Sequence, residues 1–239
     1  MPVRERIILA LDTSDPDYAL ELVDRFSEEI SIFKVGLELF TSGGPQVVEK
    51  IVKKGKKVFL DLKLHDIPTT VARTAQVLTR MGVFMLNLHT SGGVEMMRHT
   101  RDAVIETCLK ENLERPRLIG VTVLTSITSE VLKNELCILH STRTHVKHLS
   151  RLALNAGLDG VVASGQEIET IKNSCGKNFL VVVPGIRLSW NPSDDQKRTI
   201  TPKEAFRAGA DYIILGRGIM REEDPLKALR IVLLELMSS

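Results

Sequence analysis

Two hydrophobic rhythms alternate along this chain. Short runs rich in Ile, Leu and Val stand at 6–12, 31–37, 57–63, 83–89, 117–124, 158–164, 179–185 and 211–216. They are nearly continuous in apolar residues, as parallel strands covered on both faces must be. Between them lie longer stretches with helical periodicity. The first, from Asp15 to Ile30, opens with Asp15 as N-cap and Pro16 at the first helical position. The second, 43–55, stops at Gly55, read as its C-cap. The others are 69–82, 92–111, 146–157, 165–176, 201–210 and 224–237. Strands alternating with helices in this way predict an α/β chain: a closed (β/α)8 TIM barrel, one domain over 1–239. The competing architecture, an open doubly wound sheet, would carry G-x-G-x-x-G after its first strand, where "LALDTSD" stands instead.

The third strand breaks the apolar pattern. In "FLDLKLHDIPTT", residues 59–70, Asp61 and Lys63 fall on one face and Leu60, Leu62 and Leu64 on the other. The leucines should meet the outer helices, which turns the two charges into the barrel. Buried charge is costly unless paired, so Lys34, Asp61, Lys63 and Asp66 are expected to form an alternating network that keeps Lys63 protonated. A structural ion pair is the plainer reading of Asp-x-Lys alone. Ile67-Pro68 holds the chain out of the helical region, leaving Thr69 or Thr70 to cap the next helix.

Barrel enzymes place their chemistry at the C-terminal strand ends. There the chain offers Asp12, Lys34, His89, Thr125 and Ser126, then Pro184, Gly185, Ile186 and Arg187, and finally Gly216, Arg217 and Gly218. His89 reads as orienting the site. Gly216 and Gly218 with the Arg217 guanidinium suit a phosphate. The long segment 187–200 adds Arg187, Gln196 and Arg198, and a loop of that length in a barrel is more often functional than idle.

Composition narrows the function. The 239 residues are 43% hydrophobic and 26% charged, with a net charge of +2, too small for a nucleic-acid surface or a membrane patch. The three cysteines, Cys108, Cys137 and Cys175, are far apart and form no C-x-x-C, as expected of reduced thiols. Cys108 reads as core; His140, His145 and His148 read as exposed helix residues. No apolar run reaches the roughly 18 residues of a membrane helix, and the first is too short for a signal-peptide core. A cytoplasmic protein is the expectation.

The D-x-K-x-x-D-I-P-x-T of 61–70, "VVVPGIR" followed by Asp195-Gln196-Lys197-Arg198, and "DYIILGRGI" together resemble the orotidine 5′-monophosphate decarboxylase family of the bacterial type. "ALD", "FKVG", "HTSGG" and "VTVLTS" fall at the matching places, and the likeness runs from Ile7 to the last helix. It departs at Asp194, where glycine is common, and at Trp190. The resemblance implies cofactor- and metal-free conversion of orotidine monophosphate to UMP and CO2 in de novo pyrimidine biosynthesis. It also implies a homodimer with sites at the subunit interface. By position, Lys63, Asp61, Asp66 and Lys34 become the catalytic charges, with Asp66 and Thr70 completing the partner's site. Asp12 and Lys34 would hold the ribose, Ser126 with Thr125 the pyrimidine, and Gln196, Arg217 and Arg187 the phosphate, beside Pro184 and Gly216. Three other readings stay open: a metal-dependent sugar-phosphate enzyme, a Schiff-base aldolase using Lys63 or Lys34, and a non-catalytic nucleotide-binding barrel.

Overall fold

The computed structural model describes residues 2–188 and 199–237. Its eight strands are β1 (Ile7–Ala10), β2 (Ile32–Gly36), β3 (Lys57–Leu64), β4 (Met85–His89), β5 (Arg117–Val121), β6 (Gly160–Val162), β7 (Leu180–Val183) and β8 (Tyr212–Leu215). They pair in chain order, and β8 closes on β1 in parallel register, Ile7 opposite Ile213. Every expected strand is present, most of them shorter than the apolar run that announced it. The surplus residues, such as Asp12 and Gly216, lie just past the ladder at the barrel mouth.

Helices α1 (Pro16–Phe26), α2 (Leu37–Lys53), α3 (Pro68–Arg80), α4 (Gly93–Glu111), α6 (Thr142–Ala156), α7 (Ile168–Cys175), α8 (Pro202–Ala208) and α10 (Pro225–Met237) surround the sheet. Two short helices, α5 (Ser129–Asn134) and α9 (Arg217–Met220), were not predicted, being too brief to show a period. The Asp15 carboxylate accepts the Asp17 and Tyr18 N–H groups at the start of α1, as expected of an N-cap. α2 begins earlier than expected and kinks at Gly44, φ 59, ahead of Pro45. Its cap is Lys54, with Gly55 following at φ 74. The expected threonine cap of α3 is absent: the helix starts at Pro68, so Thr69 and Thr70 lie inside its first turn. Proline has no N–H there to satisfy, which lessens the need for a cap.

The strands alternate between two cores. Ile8, Ala10, Ile32, Phe59, Met85, Ile119, Val182, Tyr212 and Ile214 point inward and fill the barrel. Their neighbours, including Leu9, Phe33, Val35, Leu60 and Leu86, pack against the helices. Each fully buried side chain of this size is worth about 1.5–3 kcal/mol. At the N-terminal end of the barrel the Arg117 guanidinium lies 4.5 Å from the Phe84 ring and donates to the Tyr212 hydroxyl, closing the floor. Cys108 is buried, as expected; His140 and His148 are exposed, but His145 is only half so. Among the described residues no helix is long and apolar enough to cross a membrane.

One layer up, the inward positions change character. Ile32 is followed on its face by Lys34, Phe59 by Asp61, and Met85 by Asn87.

Candidate active site

The polar layer is built on an irregular strand. β3 pairs with β4 through Phe59 with Met85 and Leu60 with Leu86, then resumes at Leu64 with Leu88. β3 therefore holds extra residues that β4 does not match, a β-bulge of the kind found beside active sites. Lys63 lies within it at φ 52, in the left-handed region. That costs a non-glycine residue of order 1–3 kcal/mol and persists only where the surroundings hold it.

Asn87 supplies the hold. Its Oδ1 accepts the Lys63 backbone N–H at 2.8 Å, and its Nδ2 donates to Asp61 Oδ1 at 2.6 Å. A backbone N–H can only donate and a carboxylate can only accept, so the amide has one possible orientation. The same Asp61 oxygen receives Lys63 Nζ at 2.7 Å. Asp61 Oδ2 lies 3.4 Å from Lys34 Nζ, which reaches Asp12 Oδ1 at 3.1 Å. The charges thus alternate as Asp12, Lys34, Asp61 and Lys63 and sum to zero, the condition for keeping ions in a desolvated place. The inner pair, Lys34 and Asp61, is 11% exposed, whereas the two ends are open, Asp12 at 41% and Lys63 at 29%, and both ends line the cavity at the barrel mouth.

Within one chain Asp12 takes the fourth place that the sequence pattern assigns to Asp66. The Asp66 carboxylate is exposed and accepts the N–H of Ile67 at 2.7 Å, outside this network. Thr70 is likewise exposed on α3.

A cavity of about 330 Å³ opens at the C-terminal strand ends, and Asp12, Lys34, Asp61 and Lys63 form one wall. Thr125 and Ser126 after β5, Pro184 and Gly185 after β7, and Gly216 and Arg217 after β8 complete it. At Gly216 a Cβ would stand 3.2 Å from the Asp12 carboxylate, so the absent side chain lets the eighth strand end approach the first. Arg187 is held by its backbone N–H to Ile200 O at 2.9 Å but does not line the cavity. Gln196 and Arg198, with Trp190 and Asp194, lie outside the described residues.

His89, at the end of β4, faces His65 with ring centroids 5.3 Å apart. Burial holds its pKa below the usual imidazole value, and nearby His65 and Lys63 push the same way against an opposing pull from Asp61. Asn87 was missed by the sequence reading. The available signal was an amide at an inward position of a strand otherwise apolar on that face.

A closed (β/α)8 barrel with balanced charges at the C-terminal mouth defines an enzyme scaffold of the TIM-barrel class. The sequence model of the Orotidine 5'-phosphate decarboxylase / HUMPS family matches residues 5–232, and the chain belongs to that family. Membership makes it a carbon–carbon lyase. It is 44% identical over 236 residues to the orotidine 5'-phosphate decarboxylase of Moorella thermoacetica, covering 99% of this chain and 94% of that one. It is 46% identical over 235 residues to that of Trichlorobacter lovleyi, covering 98% and 96%. Among solved structures it resembles orotidine 5'-phosphate decarboxylase from Lactobacillus acidophilus, with a TM-score of 0.85 and 33% identity over 97% of this chain and 99% of that one.

Proposed function

We propose that this protein decarboxylates orotidine 5′-monophosphate to UMP and CO2 in pyrimidine biosynthesis, using no metal or cofactor. One observation carries the reading: the Lys63 ammonium, fixed 2.7 Å from Asp61, lines the cavity at the C-terminal strand ends in a chain of this family.

The chemistry follows from that placement. When the bond to the departing carboxylate breaks, its electron pair stays on a pyrimidine ring carbon that delocalises it poorly. A fixed cation beside that carbon stabilises the developing charge without reorganising. The same ammonium then transfers a proton to the carbon, giving UMP. Asp61 sets the direction of the ammonium; Lys34 and Asp12 hold Asp61 and meet the ribose hydroxyls. Thr125 and Ser126 face the pyrimidine. Arg217, Arg187 and Gln196 bind the phosphate, beside Pro184 and Gly216. That binding energy, remote from the reacting carbon, can be spent on ordering the charged groups for the chemical step.

Asp66 and Thr70 are exposed and do not line their own cavity, which supports a homodimer in which each chain completes its partner's site. The chain acts as one catalytic domain in the cytoplasm. A divalent metal suits the site poorly, because the ammonium groups of Lys34 and Lys63 already occupy the places beside the carboxylates. A Schiff base would need the Lys63 nitrogen free to attack a carbonyl, whereas it is engaged at 2.7 Å with Asp61.

The test is loss of ultraviolet absorbance from orotidine monophosphate, with and without EDTA. Turnover that survives the chelator supports the reading. UMP binding without turnover would replace it with a binding protein, and borohydride-trapped adducts would replace it with an aldolase.

A further inference from the structure

We propose that Asn87 is a positioning residue for the decarboxylation, acting through Lys63. It rests on the reading above, in which Lys63 is the reacting cation.

The inward layer beneath Asn87 is apolar, with Ile32, Phe59 and Met85, and its register partner on β5 is Ile119; the polar groups of its own layer are Lys34 and Asp61. Asn87 is 1% exposed. A buried amide is tolerated only when both its ends are paired. Here both ends are spent on one feature of the neighbouring strand. The Lys63 N–H finds its acceptor in Asn87 Oδ1, because the β3–β4 ladder skips that residue. The Asp61 oxygen that takes Lys63 Nζ is the one to which Asn87 Nδ2 donates. The amide therefore bridges the two ends of the lysine: its backbone, held left-handed at φ 52, and its head group, through Asp61. Without the bridge, the Lys63 N–H loses its acceptor, and only the Asp61 ion pair and the Leu64–Leu88 pairing remain to oppose relaxation toward an extended backbone. That relaxation would swing Cβ and carry the ammonium off the cavity.

Asn87 contacts no part of the cavity wall assigned to sugar, base or phosphate. Its loss should therefore appear in the chemical step and leave binding nearly intact. Displacing a reacting group by about 1 Å costs on the order of 10²-fold in rate. Asn87→Ala should lower kcat by roughly that factor, with KM and the Kd for UMP within about threefold of the parent. UMP titration calorimetry counts folded sites, so loss of folded protein is separable from loss of rate.

Asn87→Asp keeps the volume and the acceptor for the Lys63 N–H but sets a carboxylate against Asp61. One proton shared by the pair restores the donor. The groups that face position 87 are Asp61 and Lys63 on β3, Lys34 beyond them on β2, and His89 further along β4; β5 offers apolar Ile119 and Val121. Activity of Asn87→Asp should recover as pH falls, while the parent and Asn87→Ala, which share the His89 titration, do not show that recovery.

Parent protein that fails to decarboxylate sinks the functional reading, and this inference with it. An active parent overturns the inference alone if Asn87→Ala keeps kcat within about threefold, or loses kcat and UMP sites in proportion. Should Asn87→Ala not fold, the pH profile of the isosteric Asn87→Asp decides: a profile parallel to the parent's overturns the proposal.

Discussion

Replacing Lys63 by alanine separates a catalytic lysine from a structural one, because the site predicts very different effects on rate and on stability. The rate should collapse. Loss of a fixed charge-stabilising donor costs about 10²–10³-fold, and loss of the general acid about 10²–10⁴-fold. Together they predict a fall of at least about 10⁴-fold in kcat. Stability should fall only moderately. Asp61 keeps the Asn87 amide at 2.6 Å and Lys34 at 3.4 Å, so its carboxylate is not abandoned. The lost contact is one charged hydrogen bond, worth about 1.5–3 kcal/mol at most. Removing a left-handed lysine side chain returns none of the backbone strain, since alanine at the same φ is strained too. At about 2–4 °C per kcal/mol for a chain of this size, the melting temperature should drop by less than about 12 °C. The assay is absorbance-monitored turnover alongside a thermal melt of the same preparation. Activity within tenfold of the parent, in a folded variant, would remove Lys63 from the chemistry. Unfolding at assay temperature would show instead that the ion pair holds the barrel mouth together.

Orotidine lacking its phosphate should react far more slowly at saturation, since the remote phosphate contacts help assemble the site; comparable kcat values would refute that role. EDTA should leave turnover unchanged, and loss of activity restored by added Mg²⁺ would favour the metal-dependent alternative. Stability should fall as the solution is acidified below the ordinary histidine pKa of about 6.5. The His89 imidazole is held below that value in the folded state, so the unfolded chain takes up the proton first and ΔG of unfolding rises with pH across the interval. His145, shifted the same way by burial and by His148 and His140, adds to the effect, so His89→Gln should flatten the pH dependence of the melt only in part.

The fold was legible because most strand positions on both faces are apolar, and because Pro and Gly mark the helix boundaries. Period-2 reading also placed the faces of β3 correctly: Leu60, Leu62 and Leu64 do pack outward, and Asp61 does point in. What the pattern could not carry was anything that depends on a second strand. Asn87 looks like a stray polar residue until the register shows that it faces the bulge. Asp66 looks like a member of the local charge chain because it is near in sequence; the strand ends at Leu64 and the chain bends at Asp66, whose carboxylate turns to the Ile67 N–H, while Asp12 comes from β1, the neighbour of β2. The α3 cap failed for a related reason. Counting from Pro68 as a barrier put the cap after it, whereas Pro68 is itself the first residue of the helix.

These misses point to a division of labour within the barrel. In the Phe59 and Met85 layer the inward side chains are apolar and gain their stability from burial, independent of one another's orientation. Above it, Asp61 is tolerated because Lys34, Lys63 and Asn87 between them meet it, since a carboxylate with no partner there would carry the full cost of its lost hydration. The polar layer is therefore specified as a unit, and its one strained residue is the lysine that faces the cavity. A chain selected only for stability would relax that bulge and fill position 87 with an aliphatic side chain. That the bulge, the left-handed lysine and the bridging amide occur together is a stronger mark of function than any of the charges taken singly.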